Sequence, residues 1–85
     1  SRPSLFSQNH GQTAAAISKG LETLPSEQRQ AIVLNLYAGL SFKQIQDNTD
    51  ISRNTWYRRY QLGIKRLQIW MKTNSPEVWA EFYKE

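Results

Sequence analysis

Cysteine is absent from the 85 residues and histidine occurs once, at position 10. Neither a disulfide staple nor a thiolate or histidine zinc cluster can be built, so stability must come from packing. Apolar runs are short, the longest being Ala14 to Ile17 and Ala31 to Leu34, whereas a membrane span needs about 20 apolar residues in succession. The four glycines are scattered at 11, 20, 39 and 63, which leaves no glycine-rich loop for a nucleotide phosphate. His10 has no paired acid near it in sequence and the chain has no cysteine, so nucleophile, base and orienting group do not assemble, and Glu77, Glu81 and Glu85 recur at the four-residue spacing of a solvated helix face. Catalysis is therefore not expected, and no cofactor or metal is called for. No segment alternates with the period of a strand, and there are no internal repeats. A signal-peptide pattern is missing and the chain starts at Ser1, so the reading is a cytoplasmic module cut from, or related to, a longer protein.

What is present is an uneven charge. The net charge is +4, but the first fifty residues balance Arg2, Lys19, Arg29 and Lys43 against Glu22, Glu27, Asp47 and Asp50. Residues 51 to 72 then carry Arg53, Arg58, Arg59, Lys65, Arg66 and Lys72 without a single acid. A solvated face that only needs solubility mixes both signs; one sign concentrated in one segment points to a polyanion.

Hydrophobic spacing and cap residues predict an all-α fold of four to five short helices. Residues 1–12 are polar, contain Pro3 and Gly11, and read as a flexible arm or interdomain linker. Ala14, Ile17, Leu21 and Leu24 share a face of a first helix, in which Gly20 is a weak point. Pro25 suits the first turn of a second helix, through Ile32, Val33, Leu36 and Tyr37, and Gly39 is placed to end it in the left-handed conformation. Leu36 and Leu40 are expected in the core. Ser41-Phe42-Lys43-Gln44 has capping-box spacing and opens a short third helix. After the turn-forming Asn48-Thr49-Asp50, Ser52 caps a long fourth helix. On a helical wheel Trp56, Tyr60, Gly63, Leu67 and Trp70 form its core stripe, while Asn54, Arg58, Gln61, Lys65, Gln68 and Lys72 lie opposite. Ser75-Pro76 starts a last short helix, with Val78, Trp79 and Phe82 turned back. The expected organisation is an arm over 1–12, a domain over 13–73 and a helical extension over 74–85.

A short capped helix, a tight polar turn and a longer helix with a basic face make a helix-turn-helix, which lays the start of its second helix along base edges in the major groove. Arg53, Asn54, Tyr57 and Arg58 occupy the first two turns of that helix and are the candidate base readers: arginine bridges guanine O6 and N7, asparagine pairs with adenine, and the Tyr57 ring suits a thymine methyl. Ser41, Lys43 and Gln44 on the bracing helix, with Arg59, Lys65, Arg66 and Lys72, are the candidate phosphate contacts. The alternative for Arg59 is stacking on a neighbouring aromatic ring.

From Leu21 to Leu67 the chain also resembles region 4 of bacterial sigma factors, especially the extracytoplasmic-function group, through Leu24, Pro25, Arg29, Leu36, Gly39, Leu40, Ser41, Ile45, Ile51, Ser52, Thr55 and Leu67 in ungapped order. The resemblance implies binding of the promoter minus-35 element by duplex DNA contacts that include the four base readers. It also implies docking on the β-subunit flap of RNA polymerase, with Arg29 and the Leu36 to Leu40 turn as candidates, and the possibility of an anti-sigma partner. Departures from the pattern cluster at the turn: Gln44 for glutamate, Gln46 for a small alanine, Thr49 for an apolar residue, Asp50 for glycine, and Trp56 and Tyr60 for smaller aliphatics. Gln46 is expected to crowd the packing of the two helices, and Asp50 to take up the left-handed turn conformation in place of glycine. Two other readings stay open: a different helix-turn-helix regulator, such as a response-regulator output domain, and an interaction module that holds polymerase or an anti-sigma factor without reading DNA.

Overall fold

A computed structural model of the chain describes the backbone of residues 2–82 and the side chains of residues 11–81. All regular structure among the described residues is helical: α1 Arg2–Glu22, α2 Ser26–Ile32 continuing into a π-helical turn Val33–Tyr37, α3 Phe42–Asp47, α4 Arg53–Asn74 and α5 Pro76–Phe82. The chain divides into two compact units, one formed by residues 24–66 and the other by residues 1–23 together with 67–85.

The first unit is built around Ala31, Ile45 and Trp56, which are almost completely buried, with Leu34, Leu40, Phe42, Ile51 and Tyr60 packed about them. Each bounding element ends where the sequence supplies a stop. Gly39 has φ +75°, a conformation that costs a residue without Cβ little. The Leu40 amide donates to the Leu34 carbonyl at 3.1 Å, and the Asn35 side chain donates to the Leu40 carbonyl at 2.9 Å. Gly63 lets α4 lie close to α2, since a Cβ there would stand 2.9 Å from Ile32 Cδ1 and 3.2 Å from the Gln28 carbonyl oxygen.

Leu36, expected in the core, is instead 55% exposed beside Tyr37 at 63%. The physical reason is the π turn, whose i to i+5 hydrogen bond from Ala38 to Val33 takes an extra residue into the turn. Leu36 thereby leaves the α-periodic line below Ile32, and Leu34 fills the core in its place. Leu40 is half-buried against the core as expected.

In the second unit Ala16, Gly20, Leu21, Leu67 and Met71 are buried, and α1 packs with α5. Gly20, read from the sequence as a weak point, is a close-packing site: a Cβ there would collide with Leu67 Cδ1 and lie 3.0 Å from Trp70 Cε3. That approach turns Ala16 and Gly20 inward, so Ala14, placed by spacing on the core face, is exposed. Residues 2–12, read as an arm, are the start of α1; Pro3 falls in its first turn, where the missing N–H breaks no intrahelical bond. The side chains of His10 and Phe82 lie outside the described residues.

Candidate nucleic-acid interface

The site is the α3–turn–α4 unit, and its shape follows from caps. Ser41 accepts from the Gln44 amide at 3.1 Å, and the Gln44 carboxamide oxygen accepts from the Ser41 amide at 2.8 Å, which fixes the start of α3 by the expected capping box. Ser52 accepts from the Thr55 amide at 3.2 Å and caps α4. Between them the chain turns with no non-glycine residue at positive φ among the described residues, so Asp50 does not take the left-handed conformation expected of it.

Thr49 holds the turn instead. Its hydroxyl donates to the Ile45 carbonyl at 2.8 Å and accepts from the Trp56 indole N–H at 3.0 Å. Two departures from the sigma pattern, a polar residue at 49 and a large aromatic at 56, thus satisfy each other. Gln46 does not crowd the helices either. Half-buried on the last turn of α3, it reaches across the turn, and its Oε1 accepts from the Arg53 amide at 2.7 Å.

The predicted base readers Arg53, Asn54, Tyr57 and Arg58 are all exposed, with Tyr57 at 48%. Tyr57 is held at its inner edge, where its ring meets Phe42 edge-on with centroids 5.4 Å apart. Phe42 meets Tyr60 in the same manner. This contact joins the leading end of α4 to the start of α3, where Ser41, Lys43 and Gln44 are exposed. Lys43 is 3.4 Å from Asp47, an exposed pair of little strength that leaves the ammonium group free to exchange partners.

The remaining cations divide. Lys65 is exposed and lies about 20° round the axis from Asn54, on the same face. Arg66 is exposed but about 120° round from Asn54, off that face. Lys72 is exposed on the last turn of α4 and belongs to the other compact unit. Arg59, read as a phosphate contact, is used by the fold: its guanidinium sits 5.1 Å from the Trp56 ring centroid and 3.9 Å from a Glu27 carboxylate oxygen. Its side chain keeps only 24% exposure. No group of three histidines or acids able to hold a metal is found among the described residues. No described helix is long and apolar enough to cross a membrane.

Residues 14–67, more than half of the chain, match the family model "Sigma-70, region 4". The chain belongs to the sigma-70 region 4 family. It is accordingly a DNA-binding, transcription-regulating helix-turn-helix domain of the sigma-factor type, and the match covers α3, the turn, the leading two-thirds of α4 and the π turn described above. No curated protein and no solved structure matches the chain. The sigma region 4 reading rests on the matched segment and on the order of the caps, which the sequence already displays. The roles of Gln46 and Thr49 were not legible there, because spacing alone does not show which side chain reaches across a turn.

Proposed function

We propose that this region 4 domain recognises a promoter minus-35-type element in the major groove and docks on RNA polymerase, and so acts in the cytoplasm at transcription initiation. The observation that carries the reading is the exposure of Arg53, Asn54, Tyr57 and Arg58 together on the leading turns of an acid-free helix. These side chains read base edges. Lys43 and Lys65, with the hydroxyl and carboxamide donors of Ser41 and Gln44, hold phosphates on either side.

Polymerase docking is assigned to the π turn. Leu36 and Tyr37 are the two large apolar side chains left exposed there, and adjacent exposed apolar residues on an irregular helical turn suit an apolar partner surface such as the β-subunit flap. The same patch would serve an anti-sigma factor that competes with polymerase.

The test is a fluorescence-anisotropy titration of the duplex that the protein selects from a randomised pool, against a scrambled duplex, across salt concentrations. Arg58→Ala is expected to erode discrimination by about 5- to 150-fold, the loss of one bidentate base contact, while Lys65→Ala weakens both duplexes equally. Binding that does not respond to salt, or no duplex binding at all, would instead identify an interaction module.

A further inference from the structure

We propose that Gln46 is a positioning residue for the recognition helix, tying the first amide of α4 to α3 so that the base-reading turn is presented ready-ordered to DNA; this rests on the DNA-reading role proposed above. A helix leaves its first amides without intrahelical partners. At the start of α4 two of these are taken by side chains: the Arg53 amide by Gln46 Oε1 at 2.7 Å and the Thr55 amide by Ser52 Oγ at 3.2 Å. The two caps differ in what they constrain. Ser52 is adjacent in sequence and fixes only the local entry of the chain. Gln46 is seven residues away on another helix, so its bond fixes the first turn of α4 relative to α3.

The residues carried on that turn are Arg53 and Asn54, both exposed, and neither side chain has a hydrogen-bond partner within the first unit that would order it. A first turn that frays before binding has to be ordered on binding, and that cost is subtracted from affinity. It is subtracted mainly from the specific complex, where base edges demand a fixed geometry, and hardly at all from loose phosphate contacts. Gln46 also closes the Arg53 N–H to a phosphate oxygen, which leaves the docking of this end of α4 to side chains. A short residue at 46, as in the family pattern, cannot span the turn to supply this bond. The chemistry required of the side chain is a carbonyl-type oxygen at the end of a glutamine-length stem. Its Nε2 has no partner among the described residues and plays no part in the tie.

The experiment compares wild type, Gln46→Ala and Gln46→Glu on the full 85-residue chain. Affinity is measured for the selected and the scrambled duplex, and protection of the Arg53 amide is measured by NMR hydrogen exchange in the free protein. Gln46→Ala is expected to lower Arg53 protection and to reduce the selected-to-scrambled affinity ratio about 3- to 10-fold, the loss of one net hydrogen bond. Gln46→Glu keeps the acceptor and is expected to keep both the protection and the ratio, while its added charge weakens the two duplexes alike. A merely structural residue would move thermal stability but not the ratio. An unchanged ratio in Gln46→Ala, or unchanged Arg53 protection, overturns the positioning role. A wild type that does not discriminate between the duplexes overturns the DNA-reading role itself, and the positioning role falls with it.

Discussion

Replacing Thr49 by valine keeps the shape of the side chain and removes one oxygen on which the turn depends. The indole N–H of Trp56 loses its acceptor at 3.0 Å, in a residue only 3% exposed, so water cannot substitute. A buried donor left without a partner costs about 1–3 kcal/mol. The other bonds of Thr49 matter less: the Ile45 carbonyl still accepts from the Asn48 amide at 3.2 Å, and the Ile51 amide donates to the Thr49 hydroxyl only at a long 3.4 Å. Valine returns part of the loss, about 0.8 kcal/mol for one more buried methyl group. The net expectation is destabilisation by about 1–2 kcal/mol, and a domain of this size loses about 4–8 °C of Tm per kcal/mol.

The decisive measurement is a double-mutant cycle with Trp56→Phe, followed by urea unfolding and far-UV circular dichroism. Trp56→Phe alone is destabilising, since it gives up packing and weakens the Arg59 stack. In that background no indole N–H remains to be orphaned, and Thr49→Val should cost less than about 0.5 kcal/mol. A coupling energy of about 1–2 kcal/mol is therefore expected. Additive effects, within about 0.3–0.5 kcal/mol, would show that Thr49 and Trp56 do not hold the turn together and would refute the account of why both depart from the family pattern.

Two further tests follow from close packing and from exposure. Gly63→Ala gains about 1 kcal/mol of helix propensity, but its Cβ would stand 2.9 Å from Ile32 Cδ1 and 3.2 Å from a backbone oxygen that cannot rotate away; a net loss of about 1–2 kcal/mol is expected. Gly11→Ala meets nothing within 4 Å and should raise Tm, so equal effects at the two sites would dismiss the packing argument. Leu36→Asp and Tyr37→Ser, both at exposed positions, should shift stability by less than about 0.5 kcal/mol while reducing binding to core polymerase in a pull-down; unaltered polymerase binding would move the docking surface elsewhere.

How far the sequence revealed this molecule depends on the range of the interaction concerned. Ser41, Ser52 and Gly39 act within a few residues of themselves, and each element begins or ends where they place it, while Pro25, expected in the first turn of α2, stands one residue before it as the N-cap. The core stripe of α4 was legible for the same reason: Trp56, Gly63 and Leu67 repeat with the helical period and are buried. Periodicity misled where the backbone abandons the α-helix, as at Leu36 on the π turn, and where small residues set the packing face, as at Ala16 and Gly20. It was silent on Gln46 and Thr49, whose partners Arg53 and Trp56 lie seven residues away across the turn. The arm expected over 1–12 rested on composition, which does not exclude the helix found from Arg2: Pro3 is compatible with a helix start, and a polar stretch without an apolar stripe can still be helical.

The same distinction between local pattern and partner bears on the electrostatics of binding. Counting every cation assigned from sequence to DNA, Lys43, Arg53, Arg58, Arg59, Lys65, Arg66 and Lys72, a log–log salt slope near 6 in magnitude is expected at about 0.9 per neutralised phosphate. Two of these are less favourably placed in the free protein. Arg59 is stacked on Trp56 and set against Glu27, and Arg66 lies about 120° round the axis of α4 from Asn54. Lys43, Arg53, Arg58, Lys65 and Lys72 remain, and the slope should be no steeper than about 4.5. Arg59→Gln then separates the two counts. If Arg59 serves the fold, the substitution lowers thermal stability and leaves the slope as it was. A slope near 6 in the wild type that drops by about 1 in Arg59→Gln would mean that the guanidinium leaves its ring on binding, and the division of cations drawn from the free protein would be wrong.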